Sequence, residues 1–416
     1  MLALPWNTRV LKFLAFDVSE RPLLIRDLSL ESQEKPLKNL KKEQFLKLLK
    51  RLYRTLILVI LVVGGVFTSA YAALTVPGSN VKLVLGGVAA YFAVLVLEVI
   101  WIQRHTLRMT RLISGVIDLL DEKEVQFLRR HDRKGFFCRL LAMTIPSMIA
   151  ILLLLCLKTR KELFELFFKT PTEQVLHALA YSLFWEYNMW TGHFYWTTVT
   201  VAKVYARHSK DKIRLMTKNI NCEYKIPTAR VFEEIQKSLD EYFRFVREIN
   251  RLVGSIPLAL FAILFMDIVI GLSFLVMQDL TSIPTGYVIL GLTIGNQFWS
   301  IFQIVCVTTR SNNLIEEAVV MADKFACKKL SDMTNTHLAN LALMESRRSL
   351  TVFLQKQTIV RFTAQSTFVL EPSVVLSFLN SVIPFTVMFI TSIIQASRMT
   401  YYHLHENHVT NITNSN

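Results

Sequence analysis

Residues 373–396 read SVVLSFLNSVIPFTVMFITSIIQA. Ser373, Ser377, Asn380, Pro384, Thr391 and Gln395 recur in it at steps of three, four or seven, the repeat of a single stripe along an α-helix. The other faces carry Val374, Val375, Leu376, Phe378, Leu379, Val382, Ile383, Val387, Phe389, Ile390, Ile393 and Ile394. A helix of this length crosses a hydrocarbon layer of ~30 Å once. Lipid offers no hydrogen bonds, so the stripe must face protein or water. Two environments satisfy it: a water-filled pore, or neighbouring helices that bond its hydroxyls and amides.

Composition places this helix in a larger set. The chain has 416 residues, 52% hydrophobic and 19% charged, with a mean hydropathy of +0.37, which marks an all-α polytopic membrane protein and not a soluble domain. A net charge of +15 would suit a nucleic-acid partner, but the cations gather in alternate loops, the positive-inside bias of membrane proteins. No nucleic acid is needed to explain them.

The first 54 residues are basic, with Arg9, Lys12, Lys41, Lys42, Arg51 and Arg54 among them, and contain no apolar core long enough for a signal peptide. They predict a cytosolic amino terminus. Thr55 to Val76 is a first span with the small pair Gly64-Gly65; it turns at Pro77-Gly78-Ser79-Asn80 into a second span, Val81 to Ile102, whose one acid is Glu98. The connection to Phe136 holds Arg104, Arg108, Arg111, Lys123, Arg129 and Arg130 and belongs inside. Phe137 to Leu157 is the third span, and Val175 to Tyr205 the fourth and least apolar, rich in Trp, Tyr and His. In the following basic segment Phe232, Ile235, Leu239, Tyr242, Val246 and Ile249 form a heptad seam, which predicts a cytosolic helix running straight into the fifth span, Leu252 to Met277. Gly286 to Thr308 is the sixth span, and a charged helical segment leads from it to the seventh.

Seven transmembrane helices from a cytosolic amino terminus put the carboxy terminus outside. The sequon Asn411-Ile412-Thr413 lies there as a candidate glycosylation site. The predicted organisation is a cytosolic segment over 1–54, spans one to six with their helical extensions over 55–309, cytosolic anchor helices over 310–371, the stripe-bearing seventh helix over 372–396 and an extracellular tail over 397–416.

The residues around the seventh helix carry a family resemblance. Phe362-Thr363-Ala364, then Phe368, Leu370, Ser373, Leu376 and Ser377, resemble the carboxy-terminal signature of the insect gustatory receptors, ligand-gated cation channels whose last helix lines a tetrameric pore. That family's helix carries Thr-Tyr, five apolar residues, then Gln-Phe. Here one register reads Pro384-Phe385 to Thr391-Ser392 and a second, one turn later, Met388-Phe389 to Gln395-Ala396. Both put the polar position on the same face. The resemblance implies a pore and gate at Ser377, Asn380, Pro384, Phe385, Phe389, Thr391 and Gln395, a homo- or hetero-tetramer held through the cytosolic helices, permeating cations, and a pocket open to the outside for a small-molecule tastant. It implies the plasma membrane of chemosensory neurons.

Ligand-binding candidates follow from the same topology. His177, Tyr181, Trp185 and Asn188 share one face of the fourth span, and Glu186 and Trp190 another. The fifth and sixth spans add Asp267, Thr293 and Gln297. Aromatic faces with a few polar atoms suit a small organic ligand, and an acid at depth suits a basic, bitter-type one. The same residue types also form interfacial belts and bonds between helices, so both roles stay open.

Enzymatic chemistry lacks its motifs: there is no glycine-rich phosphate loop, His-Glu-X-X-His or Gly-X-Ser-X-Gly. Cys138, Cys156, Cys222, Cys306 and Cys327 stand too far apart for metal-ligand spacing, and no cofactor is expected. The rival readings are a G-protein-coupled receptor, which has the opposite sidedness, and a secondary transporter, which calls for a repeat between halves that this sequence does not show.

Overall fold

Two helices much longer than a bilayer is thick organise the chain. The computed structural model describes residues 48–49, 52–75, 79–141, 170–222, 229–277, 284–328, 339–356 and 360–413. In order these form α1 (Leu52–Thr75), α2 (Ser79–Ile117), α3 (Glu122–Arg139), α4 (Pro171–Cys222), α5 (Ala229–Val253), α6 (Ser255–Met277), α7 (Pro284–Lys328), α8 (Ala339–Lys356), a hairpin of β1 (Thr363–Ala364) and β2 (Phe368–Val369), and α9 (Pro372–Thr413). At a rise of about 1.5 Å per residue, α4 with 52 residues and α7 with 45 reach roughly 78 and 68 Å, more than twice the ~30 Å of hydrocarbon. They pack together along their length and carry the bundle beyond the membrane.

By length and composition, Leu52–Thr75, Leu85–Thr106 and Pro372–Ser392 can each cross a membrane, and the bent pair Ala229–Val253 with Ser255–Val269 adds a fourth among the described residues. The expected third span lies for the most part outside the described residues. The expected fourth and sixth lie within α4 and α7. The low apolarity of the fourth has a physical reason: every residue from Tyr187 to Ala202 is buried. Its hydroxyls are satisfied within the helix, Thr197, Thr198 and Thr200 donating to the carbonyls of His193, Phe194 and Trp196 at 2.8–2.9 Å. This helix meets protein on all sides, so it needs no lipid-compatible surface.

Close approach explains the Gly64-Gly65 pair. A Cβ on Gly64 would stand 2.3 Å from the Leu176 carbonyl oxygen, and one on Gly65 would stand 2.4 Å from the Phe92 ring. The two glycines lie in a π-helical stretch, Ile60–Phe67, which seats α1 against α4 and α2.

The seam residues Phe232, Ile235, Leu239, Tyr242, Val246 and Ile249 are the buried face of α5. They are used within the chain: Phe232 meets Phe325 of α7 at 5.3 Å and Tyr242 shares a 2.9 Å hydrogen bond with Ser311, while Phe243 beside the seam meets Phe353 of α8 at 6.4 Å. The expectation of one straight helix from α5 into the fifth span needs correction. The pair bends by 46° at Gly254, where a Cβ would lie 2.3 Å from the Asn250 carbonyl oxygen and 3.1 Å from the Gln365 amide nitrogen. The hairpin crosses the chain at this bend.

That hairpin contains the signature residues. Phe362, Ala364 and Leu370 are fully buried, and the reversal is made by Gln365 and Ser366 at φ 48° and 60°, the paired left-handed conformation of a tight turn. The Asn250 side chain accepts from Thr363 N at 3.1 Å and donates to the Arg361 carbonyl at 2.8 Å. Thr308 donates to the Leu370 carbonyl at 3.0 Å, and Arg361 spans Glu316 and Glu371 at 2.9 and 2.8 Å. The last helix, expected to end at Ala396, continues to Thr413.

Candidate ligand site and pore-lining helix

A polar cluster around Asp267 draws on four helices. Asp267 of α6 accepts a 2.7 Å hydrogen bond at Oδ1 from the Tyr91 hydroxyl of α2. Its Oδ2 has no hydrogen-bond partner among the described residues. Gln297 of α7, 2% exposed, faces the same two groups more loosely than they face each other. From α4, Phe184 meets Tyr91 at 4.2 Å between ring centroids, and Tyr181 stacks on Phe184 at 6.4 Å. The result is a carboxylate oxygen free to accept, beside three aromatic rings. Such a group can hold a hydrogen-bond donor or a small organic cation.

Of the residues expected at a ligand site, Tyr181, Asp267 and Gln297 come together here. His177 turns to α1, its Nδ1 lying 3.1 Å from the Gly64 carbonyl oxygen and 3.4 Å from Thr68 Oγ1, with its ring 5.8 Å from Phe92. Glu186 and Trp190 form a separate pair, the indole N–H donating to Oε2 at 2.8 Å, and Trp190 stacks on Phe136 of α3 at 5.4 Å. Asn188 is buried one turn before Thr191, which donates to the Asn188 carbonyl at 3.1 Å. Trp185 and Thr293 lie on α4 and α7, with side chains outside the described residues. Sequence alone does not single out Tyr91 and Phe184; the signal for Tyr91 is the need of Asp267 for a donor. Glu98, 5% exposed, lies deeper, against Thr191.

The pore candidates occupy α9. Ser373, Ser377, Asn380, Pro384, Phe385, Thr391 and Gln395 are all exposed, whereas Val375, Val382 and Thr386 are buried and Phe389 is half-buried. At about 100° per residue the polar stripe falls on the side opposite the buried residues, whereas Phe385 and Phe389, expected in the pore, stack on each other toward the packed side. Packing comes from α6, with Phe261 meeting Phe378 at 5.1 Å and Phe265 meeting Phe385 at 5.4 Å. The hydroxyls of Ser381, Thr391 and Ser392 donate back to the carbonyls of Ser377, Val387 and Met388 at 2.7–2.9 Å, and not to a neighbouring helix. Pro384, inside the helix, has no N–H for the Asn380 carbonyl. The polar stripe and a spare carbonyl thus point away from the rest of the chain. Asn411 sits on the helical continuation.

Among the described residues one group has metal-ligand spacing. Asp121, Glu124 and His208 bring one ligand atom each within 4.8 Å of one another. They already close on themselves, because Glu124 Oε2 accepts from Asp121 N at 3.0 Å and contacts His208 Nδ1 at 2.9 Å, tying the start of α3 to α4.

Sequence comparison finds no matching family model and no matching relative among characterised proteins. Structural comparison does find a likeness. The insect olfactory receptor OR5 from Machilis hrabei superposes with a TM-score of 0.62 at 10% identity, over 92% of this chain and 97% of that one. The same receptor in complex with eugenol gives 0.52 at 12% identity, over 94% and 98%. At such identity the likeness speaks to architecture alone. The chain has an all-α, polytopic membrane fold that resembles the fold of this receptor.

Proposed function

We propose that this chain is a subunit of an insect chemoreceptor of the gustatory type, a ligand-gated cation channel in the plasma membrane of chemosensory neurons. The observation that carries the reading is the stripe on α9, exposed on the face opposite the helix's packing and bonded to no neighbour. A stripe with two amides and one spare carbonyl cannot rest against lipid. It is satisfied when several copies of α9 surround water, in a homo- or hetero-tetramer. The stripe holds no fixed charge, so cations pass with weak selectivity.

The ligand enters the Tyr91, Asp267 and Gln297 cluster, and its class is a basic tastant of the bitter kind, whose ammonium pairs with Asp267 Oδ2. Binding favours the open arrangement by its differential affinity for it. Helix α6 links the two sites, with Asp267 facing α2 and Phe265, on its opposite side, facing Phe385 of α9. The amino terminus is cytosolic, and residues 310–371 anchor the subunits inside.

Cysteine accessibility tests the pore. In cells expressing the chain, alone and with candidate co-subunits, thiol reagents should block ligand-evoked current at Ser377→Cys, Asn380→Cys and Thr391→Cys and spare Val382→Cys. Uniform protection of the stripe would sink the pore assignment. For the ligand class, Asp267→Asn should abolish responses to alkaloids and leave those to neutral agonists.

A further inference from the structure

A second surface, at the other end of α2, combines an apolar track with uncancelled positive charge. Val94, Leu97, Trp101, Arg104 and Arg108 follow one another at steps of three or four along one face of that helix, and each is exposed. The first three lie in the apolar run Leu85–Thr106, and the guanidiniums begin where it ends. Trp101, 39% exposed, donates its indole N–H to the Leu252 carbonyl at 3.0 Å and lies 4.5 Å from the His105 ring. That is the placement of an interfacial indole, apolar body toward lipid and polar edge fixed.

Helix α5 adds a third guanidinium. The charges of Arg108, Arg104 and Arg251 all bear on His105. Glu248 is the acid that pairs here, 3.7 Å from Arg108 and 2.9 Å from Arg251, and both arginine side chains stay open to solvent, at 62% and 56%. Arg104 has no ion pair among the described residues. Among the described residues, three guanidiniums therefore face one carboxylate.

We propose that Arg104, Arg108 and Arg251, with Trp101, form a binding site for the phosphate headgroup of an anionic membrane lipid. Guanidinium forks suit phosphate oxygens, and the exposed Val94 and Leu97 below them give the acyl chain a path that a soluble phosphate would leave bare. The site lies where α5 gives way to the Gly254 bend, so a bound headgroup bridges α2 to α5, whose Asn250 bonds the hairpin backbone. Its assignment to the cytosolic leaflet rests on the orientation proposed above; the site itself does not.

The purified full-length chain in neutral detergent, titrated against a fluorescent short-chain phosphatidylinositol bisphosphate, provides the test. Binding should be saturable, be absent with phosphatidylcholine, and weaken about fivefold in Arg104→Gln and at least about tenfold in the Arg104→Gln/Arg251→Gln pair. Arg129→Gln/Arg130→Gln, which removes equal charge from α3, should stay within about twofold of the wild type. Arg104 is exposed and unpaired, so its single variant reports even if the pair folds poorly. Wild-type affinity in Arg104→Gln, an equal loss in the α3 control, or soluble inositol trisphosphate binding as tightly as the lipid would each overturn the proposal. The assay reads no current, so it answers whether or not the chain conducts.

Discussion

Replacing Asn250 with Ala should release the hairpin from the bend between α5 and α6. The amide makes two bonds to hairpin backbone, accepting from Thr363 N at 3.1 Å and donating to the Arg361 carbonyl at 2.8 Å. Each is worth about 1 kcal/mol net, and a backbone group left without its partner costs about 1–3 kcal/mol. Both sites are half-buried, so water repairs part of the loss, and the total falls near 2–4 kcal/mol. Arg361→Gln offers the informative contrast. It removes two ion pairs, at 2.9 and 2.8 Å, but on a side chain still substantially open to solvent, where each pair contributes about 0–1 kcal/mol. The neutral amide should therefore outweigh the double ion pair.

Thermal unfolding of the purified chain measures this. At an unfolding entropy of about 2.1 cal/mol/K per residue, Asn250→Ala should lower Tm by roughly 2–4 °C and Arg361→Gln by no more than about 2 °C. The order of the two variants decides the matter. If Arg361→Gln is the more damaging, the hairpin is held by charge and the hydrogen-bond reasoning fails.

Gly64→Ala must push α1 away from the Leu176 backbone and should cost about 1–3 kcal/mol, seen as reduced Tm, whereas Gly86→Ala, whose Cβ meets nothing within 4 Å, should be neutral or stabilising by less than about 1 kcal/mol. Tyr242→Phe and Ser311→Ala each break the same buried 2.9 Å bond, so the double variant should cost less than the sum of the singles; strict additivity would show that the bond contributes nothing. His131, packed against Trp196 and Phe127, is held below the usual imidazole range of about 6.5 by burial, then by the charges of Lys203 and Lys134. Protonation is thus favoured in the unfolded chain, so its contribution is present above about pH 6.5 and is lost as the pH falls toward the folded value. His131→Gln should flatten the acid side of a Tm-against-pH profile, and an unchanged slope would exclude this residue as its source.

Periodicity made the helices legible, and contact between distant segments hid the rest. The α9 stripe and the α5 seam repeat at the helical period, so their faces could be read from residue types alone. The bend at Gly254 could not, because its cause includes Gln365, more than a hundred positions away. The hairpin escaped for a local reason: strands of two residues are too short to alternate, and its turn uses Gln365 and Ser366 without glycine or asparagine. Its buried residues were visible only as a family signature, whose physical meaning is that Phe362, Ala364 and Leu370 plug the junction of α5, α6 and α7. At the polar cluster the cost of Asp267 in a membrane was readable, but its donor, Tyr91, stands 176 residues away. His177 shows the opposite error, since a polar residue on the shared face of α4 serves the Gly64 carbonyl instead of the cluster. The most consequential arrangement combines both limits. Asp267 and Phe265 are two residues apart and so on opposite sides of α6, which the sequence states; that one side meets Tyr91 and the other Phe385 is set by tertiary packing. A helix held by the polar cluster on one side and by the last helix on the other cannot shift against one without pressing on the other, and that constraint, more than any single side chain, is the route by which the proposed ligand site would act on α9.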